Sequence, residues 1–146
     1  MHISTFTDYA LRVLIHAALR YPEKVTIDEV ATAYGISRNH LIKVIHELGR
    51  TGFIATQRGR SGGFTLARPA DRISVSDVVK ACEHGQPLAE CFDVANNACV
   101  ITPACRLKGM LAEAMRAFHA TLGKYTIADV CEKPEALRRH LGLTSA

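Results

Sequence analysis

Apolar residues recur at helical spacing near the start of the chain. Phe6, Ala10, Val13, Leu14, Ala17 and Ala18 share one face and predict a helix over residues 4 to 20. It should stop at Tyr21, because Pro22 disfavours helix in the residue before it. Thr26 stands three residues ahead of Glu29, the spacing of a capping box in which each side chain satisfies the other's free backbone amide. That opens a short helix running to Tyr34, broken at Gly35 where the chain needs a left-handed turn. Ser37 then caps a second helix, RNHLIKVIHELGRTG, which ends near Gly52 and turns Leu41, Val44, Ile45 and Leu48 inward.

After Gly52 the period changes from that of a helix to that of a strand. FIATQ and FTLAR flank the turn RGRSGG, where Gly59, Gly62 and Gly63 are expected to supply positive φ angles. Pro69 to Arg72 form a connector, and ISVSDVVKACEHG reads as a short helix with Ser74 as its expected cap. Gly85 to Cys105 reads as loop, punctuated by Pro87, Asn96, Asn97 and Pro103. A long helix starts near Arg106, with Leu107, Leu111, Ala114, Phe118 and Leu122 close to coiled-coil spacing. Thr126 caps a last short helix, and the tail from Pro134 is helical or frayed. There are no internal repeats.

Together these elements predict a mainly α fold with a small β-hairpin: a winged helix-turn-helix plus a long dimerisation helix. Residues 1–84 form the DNA-binding unit, 85–105 a cysteine-bearing loop, and 106–146 the dimerisation helix and C-terminal tail. The long stripe could pack within its own subunit. A homodimer interface is the preferred reading, because two-fold proteins match palindromic double-stranded DNA.

Charge sharpens the picture. The net charge of the 146 residues is only +4, but it is unevenly placed. From Arg38 to Arg68 the chain carries Arg38, Lys43, Arg50, Arg58, Arg60 and Arg68 against one acid, Glu47. Such a segment is either a solvated basic face or a phosphate-binding surface. Its place on a helix-turn-helix and hairpin favours the second. Ser37, Arg38, Asn39, His40 and Lys43 at the start of the second helix, and Arg58 and Arg60 at the hairpin tip, are the expected DNA contacts. His16, His46, His84, His119 and His140 read as surface or packing residues.

The chain has five cysteines, at 82, 91, 99, 105 and 131. An odd, uneven set suits a reducing compartment better than a disulfide framework. The N-terminus shows no basic stretch ahead of an apolar core, and no apolar run is long enough to span a bilayer, so the expected location is cytoplasmic, away from membranes. Cys82 and Cys131 fall in predicted helices and read as buried small apolar residues. Cys91, Cys99 and Cys105 fall in the loop, separated by seven and five residues. They lack the close pairing of most zinc sites, which leaves a soft metal or iron–sulfur cluster, packing, and thiol redox chemistry as the alternatives. No cysteine sits beside a His in a catalytic pattern, so an enzyme is not expected.

FTDYALRVLI, YGISRNHLIKVIHEL, RGRSGGFTLARP and CVITPACRLK together resemble the Rrf-type bacterial winged-helix regulators, over roughly residues 1 to 133. Within that family the resemblance is to its nitric-oxide-sensing branch. It implies a homodimeric repressor whose iron–sulfur cluster, 4Fe-4S by preference and 2Fe-2S as the alternative, responds to nitric oxide. Cys91, Cys99 and Cys105 would be the thiolate ligands. Another branch has a His three residues after the third cysteine, where this chain has Lys108. In the nitric-oxide-sensing branch the matching fourth ligand would be Asp8 of the partner subunit. Two alternatives remain open at this point: a regulator of the same family that senses iron or cluster and redox status, and a metal-bearing interaction module that does not bind DNA.

Overall fold

The computed structural model describes residues 3–57, 59, 62–83 and 87–143. Its elements run in chain order: α1 (Thr5–Arg20), α2 (Ile27–Tyr34), α3 (Arg38–Arg50), β1 (Ile54–Gln57), β2 (Gly63–Leu66), α4 (Val75–Cys82), α5 (Arg106–Leu122), α6 (Ile127–Val130) and α7 (Pro134–His140). Single 3₁₀ turns at Ala70–Arg72, Glu90–Phe92 and Thr102–Ala104 bridge the connectors.

α1 is the central element. Ala10, Val13, Leu14 and Ala17 on its apolar face are buried, against Leu41, Val44 and Leu48 of α3, Phe64 of β2 and Val78 of α4. α2 begins with the expected capping box: Thr26 Oγ1 accepts from the Glu29 amide at 3.2 Å, and Glu29 Oε2 accepts from the Thr26 amide at 2.8 Å. Gly35 ends α2 with φ of 64°, a backbone state costly for any residue with a Cβ. Ile36 then drops into the core, and Ser37 starts α3 by accepting from the His40 amide.

β1 and β2 pair antiparallel, from Ile54 opposite Leu66 to Gln57 opposite Gly63. Val25 extends the hairpin by exchanging two 2.9 Å backbone hydrogen bonds with Phe64. The glycines here correct the sequence-based expectation. Of the three, Gly59 alone has a positive φ, 113°. Gly62 and Gly63 are required by close approach instead. A Cβ on Gly62 would lie 2.8 Å from the Gly59 carbonyl oxygen, and one on Gly63 would lie 2.8 Å from that of Val25.

Two further expectations are corrected at the other end of the core. Ser74 occupies the cap position of α4, but its side chain makes no capping bond. The backbone around it is occupied by a strand-like bridge to Thr126, with Val75 N–H donating to the Tyr125 carbonyl at 3.0 Å and Ile127 N–H to that of Ile73 at 2.9 Å. Ile127, from beyond the long helix, is thereby fully buried in the same core. Cys131 lies just past α6, not within a helix, half-buried with its Sγ 4.0 Å from the Ile15 carbonyl oxygen. The chain end is tied back to α1 by Arg138, whose Nε and Nη2 both donate to the Leu19 carbonyl, at 3.3 and 3.0 Å.

His16 is a packing residue, fully buried on α1 with its ring 5.9 Å from that of Tyr34. Neither ring nitrogen has a hydrogen-bond partner among the described residues. Burial holds its pKa below the ordinary 6.5; Glu29 opposes this and Arg20 reinforces it. Below pH 6.5 the unfolded chain therefore binds a proton that the folded one resists. Stability should be flat above that pH and fall as pH drops through it, by at most about 1.4 kcal/mol per pH unit from this group. Urea unfolding of the protein and of His16→Leu between pH 5 and pH 8 checks this. The variant should lose that part of the acid slope.

Candidate DNA-reading and thiol sites

Ser37, Arg38, Asn39, His40 and Lys43 are all exposed at the first turns of α3, on the side away from the buried Leu41, Val44, Ile45 and Leu48. The alternation follows from helical period: the stripe that anchors α3 to α1 leaves the opposite face to solvent. Exposed Ile42 and His46 lie on that face too. Arg58 and Arg60, expected at the hairpin tip, lie outside the described residues.

Two partners of this face are not legible in the sequence. Asp28, in the first turn of α2, accepts from Arg38 Nε at 2.9 Å. The Tyr9 ring lies 6.1 Å from that of His40, and the Arg12 guanidinium sits 5.9 Å from the Tyr9 ring centroid. Both partnerships cross between helices, so no local spacing announces them.

The loop before α5 is ordered by its own side chains. Asp93 Oδ1 accepts from the amides of Ala95 and Asn96 at 3.1 and 3.2 Å, and its Oδ2 accepts from Asn96 Nδ2 at 2.9 Å. The Asn96 side-chain bond chiefly, opposed by slight desolvation and aided by the two amides, holds the Asp93 carboxyl below the usual carboxylate range. Glu90 accepts from the Ala98 amide, and Asn97 Oδ1 from that of Cys99. Cys91, Cys99 and Cys105 are free and half-buried, and Lys108 sits 5.9 Å from the Phe92 ring centroid. The remaining thiols differ in kind. Burial, with Glu47 and Glu83 adding to it, pushes Cys82 up to about 11, and burial also raises Cys131. Both stay protonated and unreactive near neutral pH.

The single chain does not gather the loop thiols. Among the described residues no three His, Cys, Asp or Glu side chains stand close enough to hold a metal ion. Asp8 lies on α1 and is paired with Arg12, through Nε at 3.2 Å and Nη2 at 2.7 Å. The donor chemistry nevertheless suits an iron–sulfur group: three free thiols on one loop, and one half-exposed carboxylate as a harder donor. No helix among the described residues is long and apolar enough to cross a membrane.

A buried scaffold that presents a polar helix start beside a two-stranded wing defines a winged-helix transcription regulator. The chain belongs to the Rrf2 family, whose model, described as an iron-dependent transcriptional regulator, matches residues 3–133. It is 45% identical over 139 residues to the HTH-type transcriptional regulator NsrR of Geobacillus kaustophilus, covering 94% of this chain and 95% of that one. It is 44% identical to NsrR of Shouchella clausii, covering 94% and 93%. Among solved structures, IscR of T. potens shares the fold with a TM-score of 0.72 at 21% identity, covering 90% of this chain and 87% of that one. Like these relatives the chain is a regulator and not an enzyme.

Asp93→Ala should loosen the loop locally. Amide exchange at Ala95 and Asn96 should quicken roughly three- to tenfold, the range expected for losing one ordinary hydrogen bond, while Ala98, held by Glu90, keeps its rate. Hydrogen exchange read by NMR checks both.

Proposed function

We propose that this chain is a homodimeric, cytoplasmic repressor that senses nitric oxide through an iron–sulfur cluster. Cys91, Cys99 and Cys105 would hold the cluster, with Asp8 of the partner subunit as fourth ligand. The observation that carries the reading is the set of three free thiols on one loop, directly ahead of a helix that buries none of its 17 residues. The resemblance to the nitric-oxide-sensing branch, and the near full-length similarity to regulators named NsrR, support it.

The chain's own residues suit these roles. Leu107 and Met110 on α5 are 57% and 56% exposed, so a second copy is the natural cover for that helix. Asp8 and Arg12 are 45% and 40% exposed. An ion pair so exposed contributes about 0–1 kcal/mol, so Asp8 can leave Arg12 at little cost. A carboxylate binds iron less tenaciously than thiolate does, which would leave that corner the most labile. When bound, the cluster would supply iron that reacts with nitric oxide. On the DNA side, Ser37, Arg38, Asn39, His40 and Lys43 would enter the major groove of a palindromic operator, and Arg58 and Arg60 would serve the wing. Cluster loss would remove a tie between subunits and shift the two α3 helices off their half-sites. A penalty of about 3 kcal/mol would weaken operator binding roughly a hundredfold.

A second reading follows from the family's iron-dependent description: the cluster reports iron supply instead of nitric oxide. One preparation separates the two. Protein made without oxygen should show iron and sulfide with a broad visible absorption, about four irons per chain for the preferred cluster. Stoichiometric nitric oxide should bleach it and release DNA in a gel shift, and Cys99→Ala should abolish both the colour and the response. Release by an iron chelator with no effect of nitric oxide would select the second reading. A colourless, sulfide-free protein would exclude the cluster.

The wing is tested separately. Arg60→Ala should weaken binding across all sequences and flatten the dependence of log affinity on log salt by about one unit. Fluorescence anisotropy across a salt series measures that slope, and an unchanged slope removes Arg60 from the interface.

A further inference from the structure

Arg38 is bound differently from its neighbours. Arg12 grips Asp8, and Arg50 grips Glu47, with Nε and Nη2 together, so one edge of each guanidinium is closed. Arg38 meets Asp28 through Nε alone, at 2.9 Å. Its Nη1 and Nη2 have no partner among the described residues. The pair is 58% and 72% exposed, too open to contribute much to folding.

Both ends of the pair sit on fixed backbone. Asp28 lies within the Thr26–Glu29 capping box, and Arg38 is the first residue of α3, after the left-handed turn at Gly35 and the Ser37 cap. The result is a long side chain held at one nitrogen, ten residues from its anchor, with a planar two-donor fork left open.

We propose that Asp28 is a positioning and specificity residue for DNA reading. It holds Arg38 by Nε so that Nη1 and Nη2 meet the O6 and N7 of a guanine in the major groove, the bidentate match that an arginine fork makes best. This rests on the reading above that Arg38 faces DNA. Two effects of the carboxylate act in the same direction. A tethered arginine has already given up rotamer freedom that a loose one would lose on binding. A tether also keeps Arg38 from swinging to a phosphate, a contact that carries no sequence information. Asp28 itself repels phosphates, which lowers affinity for unmatched DNA.

The test uses the full chain, prepared without oxygen and with iron supplied, and a pool of duplexes with a randomised centre. The protein, Asp28→Asn and Arg38→Ala are each selected on the pool. Each is then titrated onto the duplex the unaltered protein selects, onto that duplex with single base changes, and onto a scrambled one at the same salt. The expected result is a guanine preference in each half-site that Arg38→Ala abolishes. Asp28→Asn should cut discrimination at that same base pair by roughly fivefold or more, against the ten- to hundredfold that a good bidentate contact supplies. Its binding to the scrambled duplex should hold or rise. Asp28→Ser replaces Asn if thermal melting shows that Asn disturbs the turn. Full discrimination retained by the Asp28 variants, with the Arg38→Ala effect intact, overturns the positioning role alone. If Arg38→Ala changes no base preference, or the unaltered protein selects no sequence, the assignment of Arg38 to DNA falls, and this inference falls with it.

Discussion

The burial of one face of α1 is the constraint on which the other elements depend. Ala10, Val13, Leu14 and Ala17 are covered by α3, the hairpin, α4 and α6. Each covering element brings its own apolar stripe, and each is left with one polar face outward. α3 exposes its basic start because Leu41, Val44 and Leu48 are committed to α1. Asp8, Tyr9 and Arg12, on the less buried side of α1, lie along the same rod that seats α3. A small displacement of that rod cannot be absorbed by a close-packed core without moving α3, the helix proposed to meet DNA.

Much of this frame is legible in the sequence, for local reasons. The 3.6-residue period of α1, the Thr26–Glu29 box, the break at Gly35 and the Ser37 cap are all settled within a few residues of themselves. Where local patterns mislead, partners distant in sequence decide the outcome. Gly62 and Gly63 are glycine because carbonyls of Gly59 and Val25 press on them, which no turn preference encodes. Ser74 has the spacing of a cap, yet its backbone joins a bridge to a segment some fifty residues away, which the local pattern cannot anticipate.

The sites divide in the same way. The exposed start of α3 was readable as the complement of an inward stripe. The Asp28–Arg38 pair was not, since it spans a turn between two helices. The loop cysteines could be picked out by composition, but spacing alone left metal, packing and redox chemistry open. The chain seen singly shows free thiols on an ordered loop, followed by a largely exposed helix that meets α4 through His119 and Ser76. A site shared between two copies has half of its geometry outside any one sequence.

The bridge between residues 73–75 and 125–127 has a consequence for how such proteins diversify. The chain leaves the core around α1 just after α4, where Glu83 accepts from the Ser4 amide at 2.7 Å, and re-enters at Tyr125, beside Ile73 to Val75. Departure and return are thus fastened to the two ends of one short stretch of backbone, and Ile127 closes the core behind them. No described residue of the intervening loop or of α5 is fully buried, and α5 meets this core at α4, where Ser76 Oγ and His119 Nδ1 lie 3.4 Å apart. Changes in the length, the thiols or the outward helix face of this excursion therefore fall outside the core around α1. One core can therefore carry outward arms of different chemistry on the same two-point attachment.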